Sequence, residues 1–247
     1  MDLTLSGRTA IVCGASSGMG LATAEALATE GANVAMFARR RELLEREAER
    51  IGALAVRGDL TNPAHLRQLV ETTVSAFGTV DVLVLNSGGP ARSTAAEVTD
   101  ADVEDAVELM LLSATRLTKL CLPHLRASAH GRIVAITSSS VREPIPALAL
   151  SNTVRPGLVG WLQTLAREVG PDGVTVNVIA PGRIDTERVR EVYPDGLTEA
   201  DLEAIPLRRL GAPREVGDVI CFLASDRAAY VTGAVIPVDG GLTRGLL

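Results

Sequence analysis

Short apolar runs rich in β-branched residues recur seven times along this 247-residue chain, and longer stretches of helical spacing separate them. The runs are Thr9–Cys13, Asn33–Phe37, Leu54–Arg57, Val82–Leu85, Ile133–Thr137, Val174–Ile179 and Val235–Val238. A strand with one wet face alternates apolar and polar residues. Val82-Leu83-Val84-Leu85 does not alternate, so both of its faces must be covered. Helices crossing between parallel strands provide that cover. The pattern predicts an α/β fold: a doubly wound parallel sheet of about seven strands with helices on both faces, in a single domain over residues 1–247. Arg39–Ile51 and Asn62–Phe77 carry the charged faces of surface helices, and Asn62-Pro63 reads as an N-cap followed by proline at the first helical position. Asp172-Gly173 and Asp239-Gly240-Gly241 mark turns. Pro181–Pro213 is rich in proline, glycine and charge and reads as a loop-plus-helix insertion. Ligands of such sheets bind beyond the carboxyl ends of the strands, so the chemistry is expected there.

Composition removes several function classes. No apolar run approaches about 18 residues, so no membrane span is expected. Met1-Asp2-Leu3-Thr4 shows no charged region followed by an apolar stretch, so no signal peptide is expected. A net charge of −6 and 2% aromatic residues argue against a nucleic-acid surface. The three cysteines (Cys13, Cys121, Cys221) are far apart, which suits buried thiols in a reducing, cytoplasmic setting. His65, His124 and His130 have no metal-ligand spacing and read as surface residues, so no metal is expected.

Gly14-Ala15-Ser16-Ser17-Gly18-Met19-Gly20 follows the first run and opens the first helix. Glycine lets backbone approach a pyrophosphate, and the helix N-terminus offers unpaired N–H groups to its phosphates. Asp59-Leu60 follows the third run, where a carboxylate can accept from an adenine amine. Asn86-Ser87-Gly88-Gly89 ends the fourth run, and Pro181-Gly182-Arg183-Ile184-Asp185-Thr186 follows the sixth. With the late Val238-Asp239-Gly240-Gly241, these motifs resemble the short-chain dehydrogenase/reductase family over essentially the whole chain. Gly131-Arg132-Ile133 and Leu165-Ala166-Arg167-Glu168 are similar to the 3-oxoacyl carrier-protein reductases within it.

The resemblance implies a Rossmann NAD(P)-binding domain. It places cofactor contacts at Gly14, Ser16, Ser17, Gly18, Met19, Gly20, Asp59, Leu60, Asn86, Ser87, Gly88, Pro181, Gly182, Ile184 and Thr186. It also implies a substrate lid over about residues 183–212 and a homotetramer or homodimer packed through exposed Leu and Val on the helices around 101–128 and 152–170. An acidic residue ending the second run would hold a ribose 2′-hydroxyl and repel a 2′-phosphate. Here the chain reads Ala38-Arg39-Arg40-Arg41 instead, and Arg39, with Arg40 beside it, is suited to pair with that phosphate. NADP is therefore expected over NAD, while Arg41 only begins a solvated helix.

The family's catalytic tetrad is Ser, Tyr, Lys and Asn, and this chain departs from it. Counting from Gly131-Arg132-Ile133, the Ser position is Ser138, with Ser139 and Ser140 next to it. The Tyr position, thirteen residues on, is Ser151; the Lys position, four later, is Arg155; the Asn position is Met110. Only two tyrosines, Tyr193 and Tyr230, and one lysine, Lys119, exist, and neither tyrosine has lysine four residues later. The usual acid pair is thus missing from the chain, not misaligned. A serine hydroxyl is far less acidic than a phenol. Arginine can hold a ribose and add positive potential but cannot shuttle protons. Met110 reads as packing. Pro156, next to Arg155, is expected to fix the backbone and shift the helix start. Two substitute acids suggest themselves: Glu143, if burial raises its pKa, and Tyr193, delivered by the lid. Tyr230 reads as structural, and Cys13 as a buried thiol.

Three functions remain open at this level. One is an NADP-dependent oxidoreductase of a small-molecule carbonyl or alcohol with a non-standard proton donor. Another is a nucleotide-binding or regulatory protein that has lost turnover. The third is a non-redox isomerase or dehydratase in the same cleft.

Overall fold

A computed structural model describes residues 2–245. Seven strands form one sheet: β1 (Thr9–Cys13), β2 (Asn33–Ala38), β3 (Leu54–Arg57), β4 (Val82–Asn86), β5 (Arg132–Ile136), β6 (Thr175–Pro181) and β7 (Val235–Val238). Their order is β3-β2-β1-β4-β5-β6-β7, and every neighbouring pair is parallel. Three strands end where the apolar runs end. The other boundaries move by a residue or two because register, not hydropathy, sets them. Asn86 joins β4 by pairing with Ile136, for example. Pro237 lies on the edge strand β7, where its missing N–H costs no ladder bond.

Successive strand residues point to opposite faces, and each face has its own core. Ile11 and Cys13 of β1 pack with Leu66 and Leu69 of α3 (Pro63–Phe77), Leu117 of α5 (Ser113–Ala127) and Leu162 of α6 (Ala149–Val169). Ala10 and Val12 face Leu27 of α1 (Gly18–Thr29), Leu44 of α2 (Arg41–Ile51) and Ile220 of α9 (Pro213–Ala224). Asn62 does cap α3, accepting from the Ala64 N–H, with Pro63 at the first position. Gly173 and Gly240 turn the chain at φ +77° and +65°.

The central helix runs without a break from α4 (Asp100–Val107) through a single π-turn, Glu108–Leu112, into α5, and Met110 sits in that turn. Three expectations change. Pro156 does not shift the start of α6. The helix begins at Ala149, and exposed Pro156 is carried in its interior, where water can serve the freed carbonyl. The insertion after β6 carries two short helices, α7 (Glu187–Val192) and α8 (Glu199–Glu203), where one was expected. Tyr230 is wholly exposed, so it packs into nothing within this chain. Most Leu and Val on the helices proposed for an oligomer interface are at least half-buried, and Val103 is the exposed exception. No helix among the described residues is long and apolar enough to cross a membrane.

Candidate functional site

The strand order reverses between β1 and β4. The crevice of a doubly wound sheet opens there. A cavity of about 850 Å³ lies along the carboxyl ends of the strands, lined from the glycine loop to Tyr193. That volume suits a cofactor together with a small substrate.

The glycine loop is built by close backbone approach. Gly14 and Gly18 have φ of +60° and +58°. A Cβ at Gly20 would lie 2.2 Å from the Gly14 carbonyl oxygen, so only glycine fits. Asn86 Nδ2 donates to the Cys13 carbonyl at 3.2 Å and ties the ends of β4 and β1 together. Its amide stands 2.6 Å from where a Gly14 Cβ would be, so Asn86 shapes the loop. Ser17 is the N-cap of α1 yet makes no capping bond. The first-turn N–H groups of α1 are therefore left facing the cavity, and such a cradle can receive phosphates. Ser16, Ser17, Met19, Leu60, Ser87 and Gly88 also line it. Across the crevice stand Pro181, Gly182, Ile184 and Thr186, with the Thr186 methyl 3.3 Å from the Cβ position of Gly18. Ile184 itself is 3% exposed and anchors this segment in the core.

At the far end of the cleft Arg39 and Arg40 differ in surroundings. Arg39 is exposed, lines the cavity and makes no hydrogen bond among the described residues. Arg40 is engaged: it donates to Ser17 Oγ at 2.5 Å and pairs with Glu187 of α7 at 3.0 Å. Asp59 accepts from the N–H and hydroxyl of Thr61, and His65 Nδ1 accepts from the Asp59 N–H. Burial pushes the Asp59 carboxyl up, but the Thr61 bonds and the Arg39 and His65 charges outweigh it and hold the group below its usual value. Gly58 went unnoticed in the sequence. A Cβ there would strike the Phe37 ring at 2.4 Å, which sets the floor of this end.

The catalytic end holds the larger departures. Ser138, Ser151 and Arg155 all line the cavity. Ser138 Oγ accepts from the Ser140 N–H and so caps the 3₁₀ turn Ser139–Val141. Arg155 Nε donates to Ser151 Oγ at 3.2 Å, and Ser151 Oγ lies 3.1 Å from Ser140 Oγ. Since Arg155 can only donate, Ser151 retains its own hydroxyl proton to give away. Arg155 is 7% exposed and has no carboxylate partner among the described residues. Burial, and secondarily the Arg188 charge, push its guanidinium down to about 10, still a cation at neutral pH. Ser140, which the sequence places only as a neighbour of Ser138, joins this group.

Met110 is 1% exposed and packs with Ala106, Leu150 and Val154, as a packing residue should. Glu143 lines the cavity, and its Oε1 accepts from the Arg244 N–H at 2.6 Å. Tyr193, just after α7, also lines it, with the Arg183 guanidinium 5.4 Å from the ring centre. Cys13 is sealed under the glycine loop, and burial pushes its thiol up to about 12. Among the described residues no cluster of His, Cys, Asp and Glu is arranged to hold a metal ion.

A family model described as enoyl-(acyl carrier protein) reductase matches residues 14–243. The chain is 35% identical over 242 residues to the 3-oxoacyl-(acyl-carrier-protein) reductase of Escherichia coli (strain K12), covering 97% of this chain and 99% of the other. It superposes on L-sorbose reductase from Gluconobacter frateurii, complexed with NADPH and L-sorbose, with TM-score 0.93, 33% identity and full coverage of both chains (100% each). It also superposes on an NADPH-bound short chain oxidoreductase of Pseudomonas aeruginosa PAO1 described as containing an atypical catalytic center. There the TM-score is 0.90 and the identity 33%, with 96% of this chain and 97% of that one covered. The family match over nearly the whole chain, the shared identity and the sheet order and glycine cradle show that this chain belongs to the short-chain dehydrogenase/reductase family.

Proposed function

We propose that this chain is an NADP(H)-dependent oxidoreductase that interconverts a carbonyl and an alcohol on a small molecule, with a serine–arginine pair in place of a tyrosine–lysine pair. The observation that carries it is that Arg155 Nε–H donates to Ser151 Oγ at the wall of the cavity, with Ser140 Oγ 3.1 Å behind it. The cradle of Gly14–Gly20 would hold the pyrophosphate, Asp59 the adenine, and Arg39 the 2′-phosphate. Two similar structures, the sorbose reductase and the Pseudomonas oxidoreductase, hold NADPH, which supports that cofactor. Bound NADPH would supply the hydride that reduces the carbonyl carbon.

The chain's own residues handle the oxygen. As the carbonyl carbon gains a hydride, its oxygen becomes an alkoxide and needs one proton. Ser151 gives that proton: Arg155 engages one of its lone pairs, and its hydrogen, within reach of Ser140 Oγ, turns to the substrate oxygen. The alkoxide and a serine alkoxide are of similar basicity, so the transfer is near balance. The buried Arg155 charge stabilises the negative charge on whichever oxygen carries it. Ser140 or water then restores the Ser151 proton. Ser138 steadies the substrate oxygen from the other side. Glu143 is turned to the Arg244 backbone and Tyr193 to Arg183, so neither is as directly placed.

The test follows NADPH oxidation across a panel of carbonyl compounds. Wild-type protein should show carbonyl-dependent oxidation. Ser151→Ala should keep NADPH affinity and lose about 10²–10⁴-fold in kcat, the usual worth of a positioned acid. An unchanged kcat removes Ser151 from the mechanism. NADPH binding with no turnover on any carbonyl or alcohol favours the non-catalytic reading, to which the replaced tetrad positions also point.

Cofactor choice has its own readout. Arg39→Asp removes one charge-assisted partner and adds repulsion. KM for NADPH should rise about tenfold to a hundredfold, as loss of roughly 1.5–3 kcal/mol implies, with NADH little affected. Equal effects on the two cofactors would assign Arg39 to the solvated start of α2.

A further inference from the structure

Arg40 caps the N-terminus of α2, and its guanidinium reaches back to the glycine loop. Nη2 donates to Ser17 Oγ at 2.5 Å and lies 3.5 Å from Ser16 Oγ. Nη1 donates to Glu187 Oε2 at 3.0 Å, and Ser17 Oγ donates to the same oxygen at 3.4 Å. Glu187 is the first residue of α7, so this carboxylate comes from the opposite wall of the crevice. It is the only carboxylate paired with Arg40 among the described residues, and neighbouring Arg41 pairs with Glu45 of its own helix. The Thr186 methyl lies 3.3 Å from the Cβ position of Gly18, so the start of α7 is seated on the glycine loop.

Two serine hydroxyls and a guanidinium thus converge beside the N-cap of α1, and a side-chain carboxylate is their anion. Arg39 stands next to them, exposed and with no hydrogen bond among the described residues. The pyrophosphate of a dinucleotide takes the backbone N–H groups of the loop. A 2′-phosphate takes cationic side chains just past the second strand. Arg40 is such a side chain, and its grip is already spent on Glu187 and Ser17. A phosphate monoester carries between one and two negative charges and Glu187 carries one, so the two anions repel at one guanidinium. The Arg40–Glu187 pair is half exposed, 49% and 57%, so its hold is weak enough for a phosphate to break. NAD(H) has a ribose hydroxyl at that point and no charge with which to compete.

Resting on the cofactor reading above, we infer that Glu187 is a specificity-determining residue for the cofactor: its carboxylate occupies Arg40 and Ser17 where the 2′-phosphate of NADP(H) binds, and that phosphate displaces it and frees the start of α7.

The test measures NADPH and NADH binding to the full-length protein by dihydronicotinamide fluorescence, in wild type and in Glu187→Gln. Glu187 is exposed, so the variant removes a charge without disturbing a core. NADPH should bind about threefold to tenfold tighter to the variant, the scale of an exposed charge contact, and NADH within about twofold of wild type. Hydrogen exchange follows α7 itself. Adenosine 2′-monophosphate should speed the exchange of its amides in wild type, and adenosine 5′-monophosphate should not. NADPH affinity unchanged or weakened in Glu187→Gln, or an equal gain for NADH, overturns the inference. So does α7 exchange that adenosine 2′-monophosphate slows or leaves alone. The inference and the reading beneath it fail separately. Binding of neither dinucleotide removes the cofactor reading. Tight, NADPH-selective binding that Glu187→Gln leaves untouched keeps that reading and removes only the role of the carboxylate.

Discussion

Gly20→Ala should abolish NADPH binding, lowering affinity by a hundredfold or more. The added Cβ would stand 2.2 Å from the Gly14 carbonyl oxygen and 2.7 Å from its carbon. Both are backbone atoms of the loop itself, so no side chain can swing aside. The first turn of α1 must move off the loop, and the N–H groups that face the cavity move with it. Overpacking of this kind costs about 1–3 kcal/mol, and a protein of this size loses roughly 2–4 °C of Tm per kcal/mol. Quenching or enhancement of NADPH fluorescence reads the first effect, and thermal melting the second. Gly160→Ala is the contrast. Gly160 lies within α6, exposed, with nothing within 4 Å of its Cβ position. There alanine should raise stability by about 0.5–1 kcal/mol through helix propensity. Unchanged NADPH affinity in Gly20→Ala would mean that the cofactor does not use this cradle.

The two glycines also illustrate what the sequence reveals. Gly20 stands in a strand–turn–helix context whose spacing is visible in one dimension, and the sheet follows from runs such as Val82–Leu85 that are apolar on both faces. Local pattern carries these features because short-range geometry enforces them. The rest depends on contacts between distant segments. Ser140 gains a chemical setting only when α6 brings Ser151 to within 3.1 Å, and Arg188 only when α7 lies on Gly89. Arg40 looks equivalent to Arg39 in sequence, yet Glu187 of α7, far along the chain, distinguishes them. The π-turn around Met110 has no mark in composition, since Glu108–Leu112 is an ordinary helical string. Tyr230 is a similar case: beside the last strand it reads as structural, and only the fold shows that it faces outward.

Arg155→Met should inactivate the protein and make it more stable at once. The guanidinium is 7% exposed, unpaired, and pushed by burial from 12.5 down to about 10. A base whose pKa is lower folded than unfolded binds its proton less tightly in the folded state. Carrying the charge therefore opposes folding at neutral pH, and the penalty fades as pH rises through about 10 toward the unfolded value. The shift corresponds to roughly 3 kcal/mol as an upper figure. Replacement by an apolar side chain of similar length recovers about 1–3 kcal/mol of it, since burial without a partner is costly and methionine adapts to the space. The freed Ser151 hydroxyl still has Ser140 as a partner. Urea denaturation at pH 7 should show the gain, and the difference between variant and wild type should narrow at alkaline pH. Turnover should fall about 10²–10⁴-fold, because the charge that stabilises the alkoxide is gone. A residue that costs stability and returns catalysis is the signature of a working site. If Arg155→Met instead lost stability with no change in rate, the arginine would be a structural part of α6, and the serine–arginine pair would carry no chemistry.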